Sequence, residues 1–234
     1  MNYYNNIKEA YDAMKHPMID VDGQAKHKNN SLGIAIHHTE DGIKNFHRWF
    51  GDSKAVDIHG RPLVLYHSSL KNIDAFDPHG QFMGHTGTSG ISLTDSPEMA
   101  SRYLDRFDSH GFVDGVPNQP FQKNIVPVYA KINNVLERNE PFHSNIGMGS
   151  PLPKDYVPAH KKLGYDTLVR DDAISRKGVV KHSIAKNAIR GKEYVLTSPN
   201  QIKSAIGNDG SFSHATKIVE DSQELSAGNF RSDL

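Results

Sequence analysis

Apolar residues in the first part of the chain recur at helical spacing. Ile7, Ala10, Tyr11 and Met14 would share one face of a helix over residues 3–15, and the polar, Asn- and Lys-containing stretch 23–30 ends that pattern. Phe46, Trp49 and Phe50 repeat the spacing just before the turn-rich Gly51-Asp52-Ser53, which predicts a helix anchoring a core. Further along, the period shortens. Strands are predicted at Pro62–His67, Ile91–Thr94, Ile125–Ile132, Tyr165–Val169 and Glu193–Thr197. One helix stands out among them, over 97–107. Ser96 can cap it, Pro97 suits its first turn, and Met99, Ala100, Tyr103, Leu104 and Phe107 form its apolar face.

Short strands with few helices between them do not build a doubly wound parallel sheet. They predict an α+β domain of packed, mostly antiparallel β-sheets with a few helices. The expected division is an N-terminal helical arm (1–45), a main domain (46–207) and a polar C-terminal tail (208–234) rich in Gly, Ser, Asp and Glu. The 234 residues are enough for one sizeable core.

Composition removes several kinds of chemistry. There is no cysteine, so disulfide frameworks, thiolate zinc sites and cysteine nucleophiles are excluded together. The 27 basic and 27 acidic residues balance, so total charge points to no polyanionic partner, and any such preference must be local. The N-terminus lacks the basic start and apolar run of a secretory signal, and no stretch matches a membrane span. A soluble, cytoplasmic protein without a membrane partner is expected. The glycines of Gly84-His85-Thr86-Gly87-Thr88-Ser89-Gly90 fit neither a Rossmann fingerprint nor a P-loop, and no Gly-x-Ser-x-Gly elbow occurs. The fourteen histidines include no His-Glu-x-x-His, and no metal is expected.

Three separated segments, in this order, resemble the diphtheria-toxin and poly(ADP-ribose) polymerase branch of ADP-ribosyltransferases, named for its His, Tyr and Glu. Leu63-Val64-Leu65-Tyr66-His67-Ser68-Ser69 is similar to the family's strand ending in His-Gly-Ser, with Ser68 in place of the usual glycine. Gly90-Ile91-Ser92-Leu93-Thr94-Asp95-Ser96-Pro97-Glu98-Met99-Ala100-Ser101-Arg102-Tyr103 matches the second motif without a gap, although Ser92 stands where many relatives carry another tyrosine. Gly191-Lys192-Glu193-Tyr194-Val195-Leu196 resembles the strand that opens with the catalytic glutamate. Flanking segments, Phe46–Asp52, Phe76-Asp77-Pro78, Gly164-Tyr165-Asp166 and Pro199–Ala205, look like the version found in polyvalent proteins of phages and mobile elements.

The resemblance implies that NAD is a substrate, that Glu193, His67 and Tyr103 carry the reaction, and that His67, Ser68, Ser69, Ser92 and Tyr103 line the NAD site. Tyr103 shares a helix face with Met99 and Phe107, which suits a core position as well as a stacking one. Gly191 stands where arginine-specific relatives have a second Glu or Gln, which argues against protein arginine as acceptor. Breaking the bond between ribose C1′ and nicotinamide develops positive charge on the sugar, as in glycoside hydrolysis, and a fixed carboxylate suits that charge. The implied activity is mono-ADP-ribosylation of a macromolecular acceptor, protein or nucleic acid, by a toxin, effector or phage-encoded modifier with an antitoxin or immunity partner. Two alternatives stay open, an NAD glycohydrolase and a degenerate NAD-sensing or protein-binding module. Residues 171–192 carry Arg176, Lys177, Lys181, Lys186, Arg190 and Lys192 against Asp171 and Asp172, a basic excess suited to acceptor phosphates, RNA included, or to the NAD pyrophosphate.

Overall fold

The computed structural model describes residues 17–69, 73, 76, 90–109, 123–138, 156–175 and 188–212. Strands β1 (Met18–Val21) and β2 (Gln24–His27) form an antiparallel hairpin. Helix α1 (Glu40–Phe50) follows, then β3 (Leu65–Ser69), β4 (Ile91–Thr94), helix α2 (Pro97–Ser109), β5 (Asn124–Ala130) and β6 (Val135–Arg138). The chain continues through α3 (Tyr156–Lys162), β7 (Thr167–Ser175), β8 (Ala188–Leu196), a single 3-10 turn (Pro199–Gln201) and β9 (Ile202–Ser204).

Strands β3 to β9 form one seven-stranded sheet in the order β6-β7-β8-β4-β3-β5-β9. Only β6 and β7 are parallel, so the sheet is mostly antiparallel, as the short alternating strands predict.

One face of the sheet supplies Leu65, Leu93, Val128, Val169, Tyr194 and Leu196 to the main core, which also takes Phe46, Trp49 and Phe50 from α1. Phe46 is fully buried and its ring meets those of Trp49, Phe50, Tyr129 and Phe212. Thr39 caps α1 by accepting from the Gly42 amide, and the acidic Glu40 and Asp41 complement the positive end of the helix. Asn30 donates to the Tyr129 hydroxyl at 3.0 Å, and burial pushes that hydroxyl's pKa up to about 12. The segment before α1 is thereby tied to the sheet.

The expected division of the chain is redrawn at both ends. Residues 18–27 are a hairpin rather than part of a helical arm, because Asp22 and Gly23 take the positive φ angles, 53° and 83°, that a two-residue turn requires. The boundary at 45/46 falls inside α1. At the other end Phe212, beyond residue 207, is buried against Phe46 and Trp49, so the core takes a residue from the segment 208–212. The helix expected over 3–15, the glycine-rich 84–89 and the remainder of the tail lie outside the described residues.

The largest departure concerns β7 and β8. Each is nine residues long, paired without interruption from Thr167↔Leu196 to Ser175↔Ala188, so strand extends to 171–175 and 188–192, beyond the expected Tyr165–Val169 and Glu193–Thr197. Ladder bonds need backbone, not apolar side chains, and the charged Asp171 and Lys192 lie opposite one another. Apolar alternation therefore hides this ribbon.

Candidate active site

Directly opposed residues in a ladder share a face, and alternate residues along a strand return to it. The register aligns Arg170 on β7, Glu193 on β8, Thr94 on β4 and Tyr66 on β3 in one row. Ser68, Ser92 and Gly191 fall on that same face by alternation, opposite the α1 core. Helix α2 covers it. Ser68 Oγ donates to the Ala100 carbonyl at 2.5 Å, the Thr94 hydroxyl contacts Met99 sulfur, and Met99 packs with Ile189 and Tyr103.

The start of α2 is built by its neighbours in sequence. Ser96 caps the helix by accepting from the Met99 amide at 3.2 Å, and the Ser96 amide donates to Thr94 Oγ1 at 3.2 Å. Asp95 continues the β4 edge beyond its last residue. Its Oδ1 accepts from the Lys192 amide at 2.8 Å, while its own amide donates to the Lys192 carbonyl. The residue before Glu193 is thus held at both backbone groups.

Gly191 explains itself in this setting. A Cβ there would lie 2.7 Å from both Asp95 Oδ1 and Met99 sulfur and 3.1 Å from Ser96 Cβ. A side chain at 191 would have to push aside the Asp95 carboxylate or the Met99 sulfur, so the position of the second Glu or Gln of arginine-specific relatives is crowded here.

Glu193 is 7% exposed. Arg170 Nε donates to its Oε2 and Nη2 lies against the same oxygen as an ion pair, leaving Oε1 without a hydrogen bond from any described residue. Arg170 escapes a reading of the sequence, where it is one cation after an apolar run. Its place opposite the glutamate is the only signal, and that is a matter of register. Beside Glu193, the Tyr194 hydroxyl has its pKa raised to about 12 by burial and by the charges of Asp95 and Asp171.

His67 sits where the sheet opens. The ladder between β3 and β4 consists of the single pair Tyr66↔Thr94, whereas β3 stays paired with β5 through Ser69. Alternation puts His67 off the face that carries Glu193, but its ring turns into the gap between β3 and β4. There Nδ1 lies 2.9 Å from the Ser92 carbonyl, and the ring of Phe76 meets it edge-on at 4.8 Å. Because a carbonyl only accepts, Nδ1 carries the proton and the neutral ring offers Nε2 as an acceptor. Burial lowers the imidazole's pKa, offset in part by the bond to Ser92, which keeps the ring neutral near pH 7.

Of the residues singled out from the sequence, Ser68, Ser92, Tyr103 and Glu193 are brought to the α2-covered face, and His67 reaches the opening beside Ser92. Tyr103 also packs on Met99 and Ile189, so it fills the core position that its helix face suggested. Ser69 is buried at the end of β3. Arg190 is exposed in β8 opposite Ala173, while Arg176, Lys177, Lys181 and Lys186 lie outside the described residues.

The model of a family described as ADP-ribosyltransferase in polyvalent proteins matches residues 57–212, about two thirds of the chain. The chain belongs to this ADP-ribosyltransferase family. The match spans β3, β4, α2 and β8, the elements that carry His67, Ser92, Tyr103 and Glu193, and ends at the buried Phe212. A search of curated proteins gave no match. Membership makes NAD the family's substrate and a macromolecule its general class of acceptor. Among the described residues no helix is long and apolar enough to cross a membrane. Other parts of the match serve the scaffold. Gly164, with φ of 87°, ends α3, and both Asp166 carboxylate oxygens accept amides, from Asn133 and Asn134. Gln201 Nε2 reaches the Lys131 and Asp166 carbonyls, locking the end of β8 to the β5–β6 turn.

Proposed function

We propose that the protein is a mono-ADP-ribosyltransferase that moves ADP-ribose from NAD to a macromolecular acceptor, with Glu193 as the residue on which the chemistry depends. The observation that carries this reading is the buried Glu193 carboxylate, held through Oε2 and with no hydrogen bond from a described residue at Oε1.

In the proposed reaction the bond between ribose C1′ and the nicotinamide nitrogen breaks, and its electron pair leaves with nicotinamide. The positive charge developing on C1′ and the ring oxygen is stabilised by Glu193, whose Oε1 accepts a hydrogen bond from the ribose 2′-hydroxyl. An acceptor nucleophile then bonds to C1′ and releases a proton. His67 holds the adenosine-side ribose through Nε2, the acceptor left by its bond to Ser92. The backbone of Ser68 lies on the opened edge of β3, where an amide and a carbonyl can pair with the nicotinamide carboxamide. Tyr103 stacks on the nicotinamide ring from α2, and Ser69 and Ser92 complete the lining.

Acceptor choice is assigned to residues 176–190, with Arg176, Lys177, Lys181, Lys186 and Arg190 as the contacts for a polyanionic or acidic target. The crowding around Gly191 supports an acceptor other than protein arginine. The biological role proposed is that of an effector or phage-encoded modifier of a host macromolecule.

The test is incubation of wild type and Glu193→Gln with adenylate-labelled NAD and lysate pretreated with nuclease, protease or neither. Label appearing on polymer only with wild type is the expected result, and the treatment that abolishes it identifies the acceptor class. Nicotinamide release without labelled polymer would make the protein a hydrolase. Equal inertness of both proteins across lysates would end the catalytic reading.

A further inference from the structure

We infer that Arg170 is a positioning residue for catalysis: its guanidinium fixes the rotamer of Glu193 so that Oε1 alone is presented to the substrate. This rests on the proposed role of Glu193.

The pairing is built by register. Arg170 and Glu193 are cross-strand partners in the middle of the β7–β8 ribbon, so their side chains start on the same face from adjacent backbone positions. Both side chains are largely buried, 17% and 10% exposed, so solvent screens the contact little. A guanidinium meeting a carboxylate side-on commonly spreads two N–H groups over two oxygens. Here the hydrogen bond from Nε and the nearest contact of Nη2 both fall on Oε2. The consequence is an asymmetric carboxylate, one oxygen anchored and the other without a hydrogen bond from any described residue.

That asymmetry matters for a reaction in which a single oxygen must meet a hydroxyl and a developing cation. A glutamate has three side-chain torsions, and an unanchored one would spread its carboxylate over several rotamers. The backbone at Lys192 is already clamped by Asp95, and Gly191 is pressed on α2. The torsions of Glu193 are therefore the remaining freedom, and Arg170 removes it. Lysine would keep the charge without the planar fork that sets direction.

The experiment measures steady-state nicotinamide release by the full chain and its Arg170→Ala and Arg170→Lys variants, with thermal melts of each. Expected is a fall in kcat of about 100-fold for Arg170→Ala, the scale of a misplaced catalytic group, with KM nearly unchanged. Added guanidinium should restore part of that kcat in Arg170→Ala, and should do nothing for Glu193→Gln. Arg170→Lys should melt near wild type yet keep a kcat well below it, so the inference stands even where the alanine variant fails to fold. Unchanged kcat in the lysine variant, a loss confined to KM, or a folded alanine variant that guanidinium does not rescue would each overturn it. Turnover by Glu193→Gln equal to that of wild type would instead overturn the reading of Glu193. An NMR readout without NAD separates the two, because the Arg170 Nε–H resonance should be protected in wild type and lost in Glu193→Gln. Its absence from wild type would also defeat the inference.

Discussion

The two faces of the seven-stranded sheet are made differently. Towards α1 the sheet presents Leu65, Leu93, Val128, Val169 and Leu196 to a cluster of aromatic rings around Phe46, closed by Phe212. Towards α2 the same strands present Ser68, Ser92, Thr94, Glu193 and Arg170, and the apolar clusters among the described residues there are small, Met99 and Ile189 with Tyr103, and Leu168 and Val195 with Leu136. Period-two alternation is what lets one sheet do both. The first face holds the fold by burial, and the second spends its positions on directed polar contacts. The lesson is that parity separates core from polar face along β4, β7 and β8, while His67, which has the parity of Leu65, reaches the site only because the sheet opens beside it.

Phe46→Ala is the sharpest way to break that comparison. The ring is fully buried among four others, so its loss should cost about 3–5 kcal/mol in urea unfolding, while the fraction that stays folded keeps wild-type turnover per molecule. A folded Phe46→Ala with impaired catalysis would show that the two faces are coupled. Gly191→Ala should act on the other side. Its methyl must displace the Met99 sulfur or the Asp95 carboxylate, costing about 1–3 kcal/mol and lowering kcat by shifting Glu193. Full activity and a wild-type melt would mean that α2 yields without cost.

Smaller effects sharpen the division. Ser96→Ala removes the cap of α2 and should cost about 1 kcal/mol, with a detectable rise in KM for NAD because Tyr103 rides on that helix. Calorimetry and kinetics on the same sample decide it.

The smallest concerns pH. His37 and His47 lie on the α1 side, both with pKa lowered from the usual 6.5, chiefly by burial. The unfolded chain then binds more protons than the folded one below about pH 6.5, so stability is full above that value and declines as pH falls from it towards the folded-state pKa. His47 donates through Nε2 to the His27 carbonyl, so a second proton would have to enter at Nδ1 among buried groups. Replacing His47 by Gln should flatten the decline between pH 6.5 and 5. An unaltered slope would assign it elsewhere.

Much of the site could be read from residue order alone. The strand ending at His67, the Ser96-Pro97 start of α2 and the Glu193 strand are local patterns, each set by neighbours within a turn or a strand. The helix ending in Phe46, Trp49 and Phe50 is legible for the same reason. The β1–β2 hairpin carried a readable signal, Asp22-Gly23, that the polar character of its surroundings masked. Arg170 carried none, since nothing within a few residues of it indicates a partner 23 positions later.

What the sequence by itself determined is therefore the set of elements with strong local preferences and the chemical identity of the groups they carry: a neutralisable imidazole, a phenol, a carboxylate and no thiol. Tertiary structure alone decided how they combine. The β7–β8 register set Arg170 against Glu193, the opening between β3 and β4 turned His67 towards Ser92, and the approach of Asp95, Ser96 and Met99 crowded position 191. The physical reason is that strand pairing and helix docking are long-range, and a backbone ladder accepts charged and apolar side chains alike. The residues that meet across it are fixed only when the whole sheet has assembled.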